Sequence, residues 1–318
     1  MMEWNSESLE NQIGIQFKHS DTLRLALMHR SYAEQIGESE QNNERLKFLG
    51  YPLVNLVITD YLYHNCPYLE VSNFKGLRDK LVEGQRLTKL WYQLGLGEGY
   101  PFLGLTQERH RLRLQNHNPF EEALIALVGA IHQDRGFSQA RNWLVKQLIA
   151  PLLERHLKKI KERSSPNKQL RFLGDAVLKG IVADYLYSYL PNVKVGNLND
   201  LFKELTSKEN QSNYINQITT EELTALNLGN EKVLGKSFKA LLAAVYLNRS
   251  AENDKRGFAE TENWFVERFI DQEQVLRKAI RLLMEDGRSQ KWIVRHVMGY
   301  ESKDYHAGRD RFNQVMEG

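Results

Sequence analysis

Two stretches of this 318-residue chain, 124 residues apart, read almost alike: LKFLGYPLVNLVITDYLY at 46–63 and LRFLGDAVLKGIVADYLY at 170–187. Leu46, Phe48, Leu49 and Gly50 fall on Leu170, Phe172, Leu173 and Gly174. Asp60, Tyr61, Leu62 and Tyr63 fall on Asp184, Tyr185, Leu186 and Tyr187, and Pro67 falls on Pro191. An ungapped internal repeat of this length means two related domains in one chain. Val71, Asn73, Leu77 and Leu81 repeat more loosely as Val195, Asn197, Leu201 and Leu205. EEALIALVGAIHQD at 121–134 returns as GKSFKALLAAVYLN at 235–248, at the smaller offset of 114. The second domain is therefore shorter in its middle, and it lacks a counterpart of the two helices that open the first.

Apolar residues recur at helical spacing in nearly every segment, and no clean period-2 alternation appears, so the fold class is all-α. Helices are expected at 7–14, 20–33, 43–66, 119–134 and 137–158 in domain one. In domain two they are expected at the second copy of the repeat and at 235–248. Three short helices, 272–286, 289–298 and 303–316, form a C-terminal unit with a helix-turn-helix shape, broken at Gly287 and Gly299. The domains are read as 1–158, 159–271 and 272–318. Pro52, inside the first long helix, removes a hydrogen bond and predicts a kink or restart there.

The chain is 42% hydrophobic and 26% charged, and no run is long and apolar enough to span a bilayer. The first residues, MMEWNSESLENQ, carry no secretory pattern. One cysteine, Cys66, cannot form an internal disulfide, which favours a reducing compartment such as the cytoplasm. Net charge is only +3, but residues 154–171 hold seven Lys or Arg against two Glu. Arg155, Lys158, Lys159, Lys161, Arg163, Lys168 and Arg171 read either as a solvated linker or as a patch for nucleic-acid phosphates.

The repeated motif resembles the signature helix of the ribonuclease III family. LENQIGIQFK, HRSY at 29–32, NERLKFLG at 43–50 and ALVGAI at 126–131 carry the likeness in domain one. FLGDAVL at 172–178 and FKALLAAVYL at 238–247 carry it in domain two. The resemblance implies two helical domains packed through their signature helices as an internal pseudo-dimer, with a valley for double-stranded RNA. It also implies divalent metal held by clustered carboxylates. His29 is expected to be a buried, hydrogen-bonded structural residue. The aromatic residues of the DYLY segments are expected in the packing between helices.

The family's acidic positions fall on Glu44, Lys47, Tyr51, Glu122 and Ile125 in domain one. In domain two they fall on Lys168, Arg171, Asp175, Lys236 and Lys239. Magnesium needs hard oxygen ligands, and clustered lysines repel it. From this count the chain is expected to be no enzyme, with no cofactor beyond a weak Mg²⁺ at Glu44 and Glu122. Lys168, Arg171, Lys236 and Lys239 are expected either to converge on an RNA phosphate or to face water while Asp175 pairs with Arg171. The leading expectation is a catalytically inactive protein that binds structured or double-stranded RNA, or serves as a scaffold within a ribonucleoprotein. Three alternatives stand beside it. One is a subunit that binds only proteins, another a residual metal-dependent endonuclease working through domain one. The last is a DNA-binding regulator acting through 272–318.

Overall fold

The computed structural model describes residues 5–67, 69–97, 99–104, 118–151, 153, 166–226, 237–252 and 256–317. Arg155, Lys158, Lys159, Lys161, Arg163 and Lys236 lie outside the described residues. Among the described residues every named element is helical, with one isolated bridge and no strand. Domain one holds α1 (Ser6–Ile13), α2 (Ser20–Ala26), α3 (Arg30–Gln35), α4 (Glu44–Asn65), α5 (Val71–Leu81), α6 (Gly84–Gln93), α7 (Pro119–Arg135) and α8 (Phe137–Leu144). Domain two holds α9 (Pro166–Tyr189), α10 (Val195–Leu205), α11 (Lys208–Asn216), α12 (Thr220–Ala225), α13 (Phe238–Glu252) and α14 (Gly257–Phe269). Helices α15 (Gln272–Glu285), α16 (Gln290–His296) and α17 (Tyr305–Glu317) follow.

Local chemistry sets several of these ends. Asn118 caps α7 by accepting from the Phe120 and Glu121 amides, with Pro119 as its first residue. Thr219 and Glu222 form a reciprocal capping box on α12. Gly287 and Gly299 sit at φ of 80° and 77°, where a side chain would be strained, and so end α15 and α16 as expected.

Two expectations need correction. The segment 20–33 is not one helix, because the chain leaves the helix at Leu27 and pairs with a distant segment. His29 N–H donates to the Phe102 carbonyl at 3.1 Å, and Phe102 N–H donates to Leu27 at 2.8 Å. The His29 ring nitrogen then accepts from the Ser31 amide and starts α3. Nor does α4 restart at Pro52. It runs unbroken through this proline, whose ring is buried, between fully buried Leu49 and Leu53. Burial of that face outweighs the one hydrogen bond the proline cannot make.

Within each domain the signature helix crosses its neighbour at backbone contact. A Cβ on Gly50 would lie 2.0 Å from the Ile125 carbonyl of α7, and one on Gly174 would lie 1.7 Å from the Lys239 carbonyl of α13. The two domains then pack through α4 and α9 in a pseudo-twofold arrangement. Arg45 donates to the Val193 carbonyl, and its repeat equivalent Gln169 donates to Leu69, the equivalent of Val193, at 2.7 Å. Phe137 of α8 stacks on Phe258 of α14 at 4.3 Å.

The two halves of this interface differ in chemistry. Buried Asp60 is held by Arg141 at 2.9 Å and by His64 at 3.3 Å. Burial alone would raise this carboxyl, but the hydrogen bonds from His64 and Arg141 outweigh it and keep it below the usual range. The equivalent Asp184 instead meets His132 Nε2 at 2.7 Å and Glu262. Burial, with Asp184 adding to it, pushes the Glu262 carboxyl up to about 9. A group held neutral in the fold stabilises fully below its ordinary value near 4.5 and loses that contribution as pH climbs toward about 9. Glu262→Gln keeps a hydrogen-bond donor toward Asp184 at every pH. It should stabilise the protein by about 1 kcal/mol or more at pH 8 while changing little at pH 4. Urea denaturation at the two pH values measures this; equal effects at both would sink it.

Candidate functional site

Glu44 opens α4, Lys47 lies one turn on, and Glu122 stands in the first turn of α7. The close α4–α7 crossing at Gly50 brings the three together. Lys47 Nζ is 3.1 Å from Glu44 Oε1 and 2.7 Å from Glu122 Oε2. His29 Nε2 stands 4.0 Å from the same Glu122 oxygen. Burial, then the neighbouring Glu122, raises the Glu121 carboxyl next in line. His29 is hydrogen-bonded to Ser31 as expected, but it is part-buried rather than buried, and it borders this site.

The other two family positions of domain one do not join. Ile125 is buried, and its carbonyl lies against Gly50. Tyr51 follows Lys47 on the same helical face and is 54% exposed, a neutral phenol in place of a carboxylate.

Domain two is arranged differently from either expectation. Asp175 Oδ1 pairs with Lys239 Nζ and Oδ2 with Lys179 Nζ, each at 2.7 Å. Burial would raise this carboxyl, but the hydrogen bonds from Lys179 and Lys239 lower it further than burial lifts it. Arg171 is exposed and is not the partner of Asp175; Lys168 is exposed as well. Of the cations expected to converge, Lys239 alone among the described residues reaches Asp175. Lys179 was missed, although its spacing four residues from Asp175 on one helix face was legible.

No group of three or more metal-ligating side chains occurs among the described residues. The two domains nonetheless differ in their fit to a divalent ion. In domain two a single carboxylate is already shared by two ammonium groups, and the site does not fit one. In domain one two carboxylate oxygens from different helices converge on a common cation, the Lys47 ammonium, an oxygen-donor pair of the type a hard divalent ion uses.

Two helical domains packed through repeated signature helices, one of them carrying a carboxylate pair, define the class of fold, and comparison with known proteins places it. The Ribonuclease-III-like family model matches residues 19–152, and the Ribonuclease III domain model matches 168–250. Ribonuclease 3 of Borreliella burgdorferi is 36% identical over 140 residues, covering 44% of this chain and 56% of that protein. Ribonuclease 3 of Pseudomonas paraeruginosa is 37% identical over 146 residues, covering 45% and 60%. The solved nuclease domain of ribonuclease III from Campylobacter jejuni is 31% identical, covering 46% of this chain and 97% of that one, with a TM-score of 0.40. The chain belongs to the ribonuclease III family.

The matches span less than two thirds of the length of these two curated relatives. They overturn the expectation that the chain is no enzyme, since the relatives are named as ribonucleases. The weight given to the missing carboxylates set aside the residual domain-one endonuclease, although Glu44 and Glu122, named in that alternative, do converge on Lys47. No helix among the described residues is long and apolar enough to cross a membrane.

Proposed function

We propose that the chain is a nuclease acting on double-stranded RNA, with Glu44 and Glu122 of domain one as its working carboxylates. The observation that carries this reading is their convergence on one ammonium from two different helices. The relatives named Ribonuclease 3 support the same reaction class.

Glu44 and Glu122 would hold a divalent cation in exchange for the Lys47 ammonium. Bound there, it would polarise a phosphoryl oxygen and lower the pKa of a water. Lys47, released from the pair, stays on the same face as a counter-charge for the RNA phosphate. His29 borders Glu122 and, tied to Ser31 at 2.9 Å, limits where that carboxylate can swing. Domain two, with Asp175 already neutralised, contributes the opposite wall of the valley and a positive surface rather than a second cutting centre.

One centre per pseudo-dimer predicts nicks in one strand rather than paired cuts. The test is a labelled hairpin RNA incubated with protein and Mg²⁺ or Mn²⁺ and run on a denaturing gel. Nicked product is expected from the native chain. Glu44→Gln or Glu122→Gln should lower the rate by about 100-fold or more, the scale of losing an electrostatic stabiliser of the transition state. Uncut RNA with either metal would overturn the proposal.

A further inference from the structure

A cavity of about 410 Å³ opens where the two domains meet, within the range of roughly 300–1,000 Å³ typical of small-ligand pockets. Phe48, Tyr51 and Asn55 of α4 line one side, with Arg78 of α5; Lys179 of α9 and Phe202 of α10 line the other. The repeat makes these residues partners across the pseudo-twofold: Tyr51 answers Asp175, Asn55 answers Lys179 and Arg78 answers Phe202. The two copies have diverged at each pair, so the pocket is asymmetric.

Its surfaces have distinct chemistry. The floor is aromatic, with Phe48 and Phe202 edge to face at 5.9 Å. Tyr51 stands beside it and is 54% exposed, the most exposed large hydrophobic residue among those described. Asn55 donates through Nδ2 to the Tyr51 carbonyl at 3.0 Å, which leaves its Oδ1 to accept from a ligand amino group. Two cations stand at the rim. Each is already paired with a carboxylate that also lines the pocket: Arg78, over the Phe172 ring at 5.2 Å, with Asp79 at 3.2 Å, and Lys179 with Asp175 at 2.7 Å. An exposed aromatic ring and an amide acceptor between charge-balanced walls together suit a flat, polar-edged π system.

We infer that this pocket takes an unpaired nucleobase of the RNA, so that the substrate class is a duplex interrupted by a bulge or loop. The inference deepens the double-stranded-RNA reading above and rests on it for the placement of the strand. Tyr51 lies four residues beyond Lys47 on one helical face, about 6 Å along the axis. A strand at Glu44 and Glu122 therefore runs past the pocket mouth. Bases stacked inside an uninterrupted A-form duplex cannot enter; a splayed base can.

Two hairpins that differ only by one bulged 2-aminopurine test this with the full chain. The bulged RNA should bind about tenfold tighter than the matched one, the scale of one base stacked on an aromatic ring, with its fluorescence quenched. Tyr51→Ala should erase both the preference and the quenching, and Tyr51→Phe should keep both. Equal affinity of the native chain for the two RNAs, or a preference that survives Tyr51→Ala, would overturn the pocket. A matched hairpin left unbound while the bulged one binds through Tyr51 would overturn the duplex reading and uphold the pocket. Loss of binding to both would overturn both.

Discussion

Lys47→Glu is expected to raise metal-dependent RNA cleavage by about tenfold or more, because it replaces a competing ammonium with a third oxygen ligand. Lys47 Nζ now holds Glu44 at 3.1 Å and Glu122 at 2.7 Å. Any divalent ion must displace it. The substitution removes that competitor and places three carboxylates around one point. Without metal these carboxylates repel, so the melting temperature should fall. With Mn²⁺ or Mg²⁺ it should recover, since an ion that binds only the folded state stabilises it. Lys47→Met, which removes the competitor but adds no ligand, should fall between the native chain and Lys47→Glu in cleavage. Cleavage rates and melting curves with and without metal check this. A Lys47→Glu protein with native cleavage and no metal-dependent melting shift would show that Lys47 does not guard a metal position.

The largest expected loss of stability is at Gly174. A Cβ there would lie 1.7 Å from the Lys239 carbonyl oxygen and 2.5 Å from its carbonyl carbon. Both atoms are helix backbone and cannot rotate aside, so α9 and α13 must separate. Fully buried Leu173, Ala240 and Ala243 surround this crossing and would lose their packing. Gly174→Ala should therefore cost about 3 kcal/mol or more. Gly76→Ala is the control: Gly76 is exposed within α5, and a Cβ there meets nothing within 4 Å. That change should stabilise by up to about 1 kcal/mol through helix propensity alone. Urea unfolding of the two variants separates close backbone approach from a general effect of glycine; similar values for both would refute the crossing.

Much of the fold was legible because it rests on local pattern. The looser repeat of Val71–Leu81 as Val195–Leu205 is matched by equivalent helices, and the glycines of the two FLG segments fall at the helix crossings. What escaped depends on partners far apart in the chain. The break at Leu27–His29 comes from Phe102, more than seventy residues later, and an apolar period alone could not reveal it. Asp60 and Asp184 occupy equivalent places in the repeat. Their different partners, Arg141 for one and His132 with Glu262 for the other, emerge only when the helices pack.

The candidate site was half legible for the same reason. Glu44 and Glu122 could be named from the motif, as could Asp175. That Lys47 bridges the first two, and that Lys179 and Lys239 close on Asp175, depends on side-chain reach across helix crossings. Counting acids along the chain therefore led to an expectation of inactivity that the family relationship does not support.

The most direct measurement is the strand-cutting assay on a hairpin RNA with Mg²⁺ and Mn²⁺, run for the native chain and for Glu122→Gln side by side. Metal-dependent nicks that vanish with Glu122→Gln are the predicted result. Intact RNA in both lanes at saturating metal, or cleavage that Glu122→Gln leaves untouched, would contradict domain one as the cutting centre.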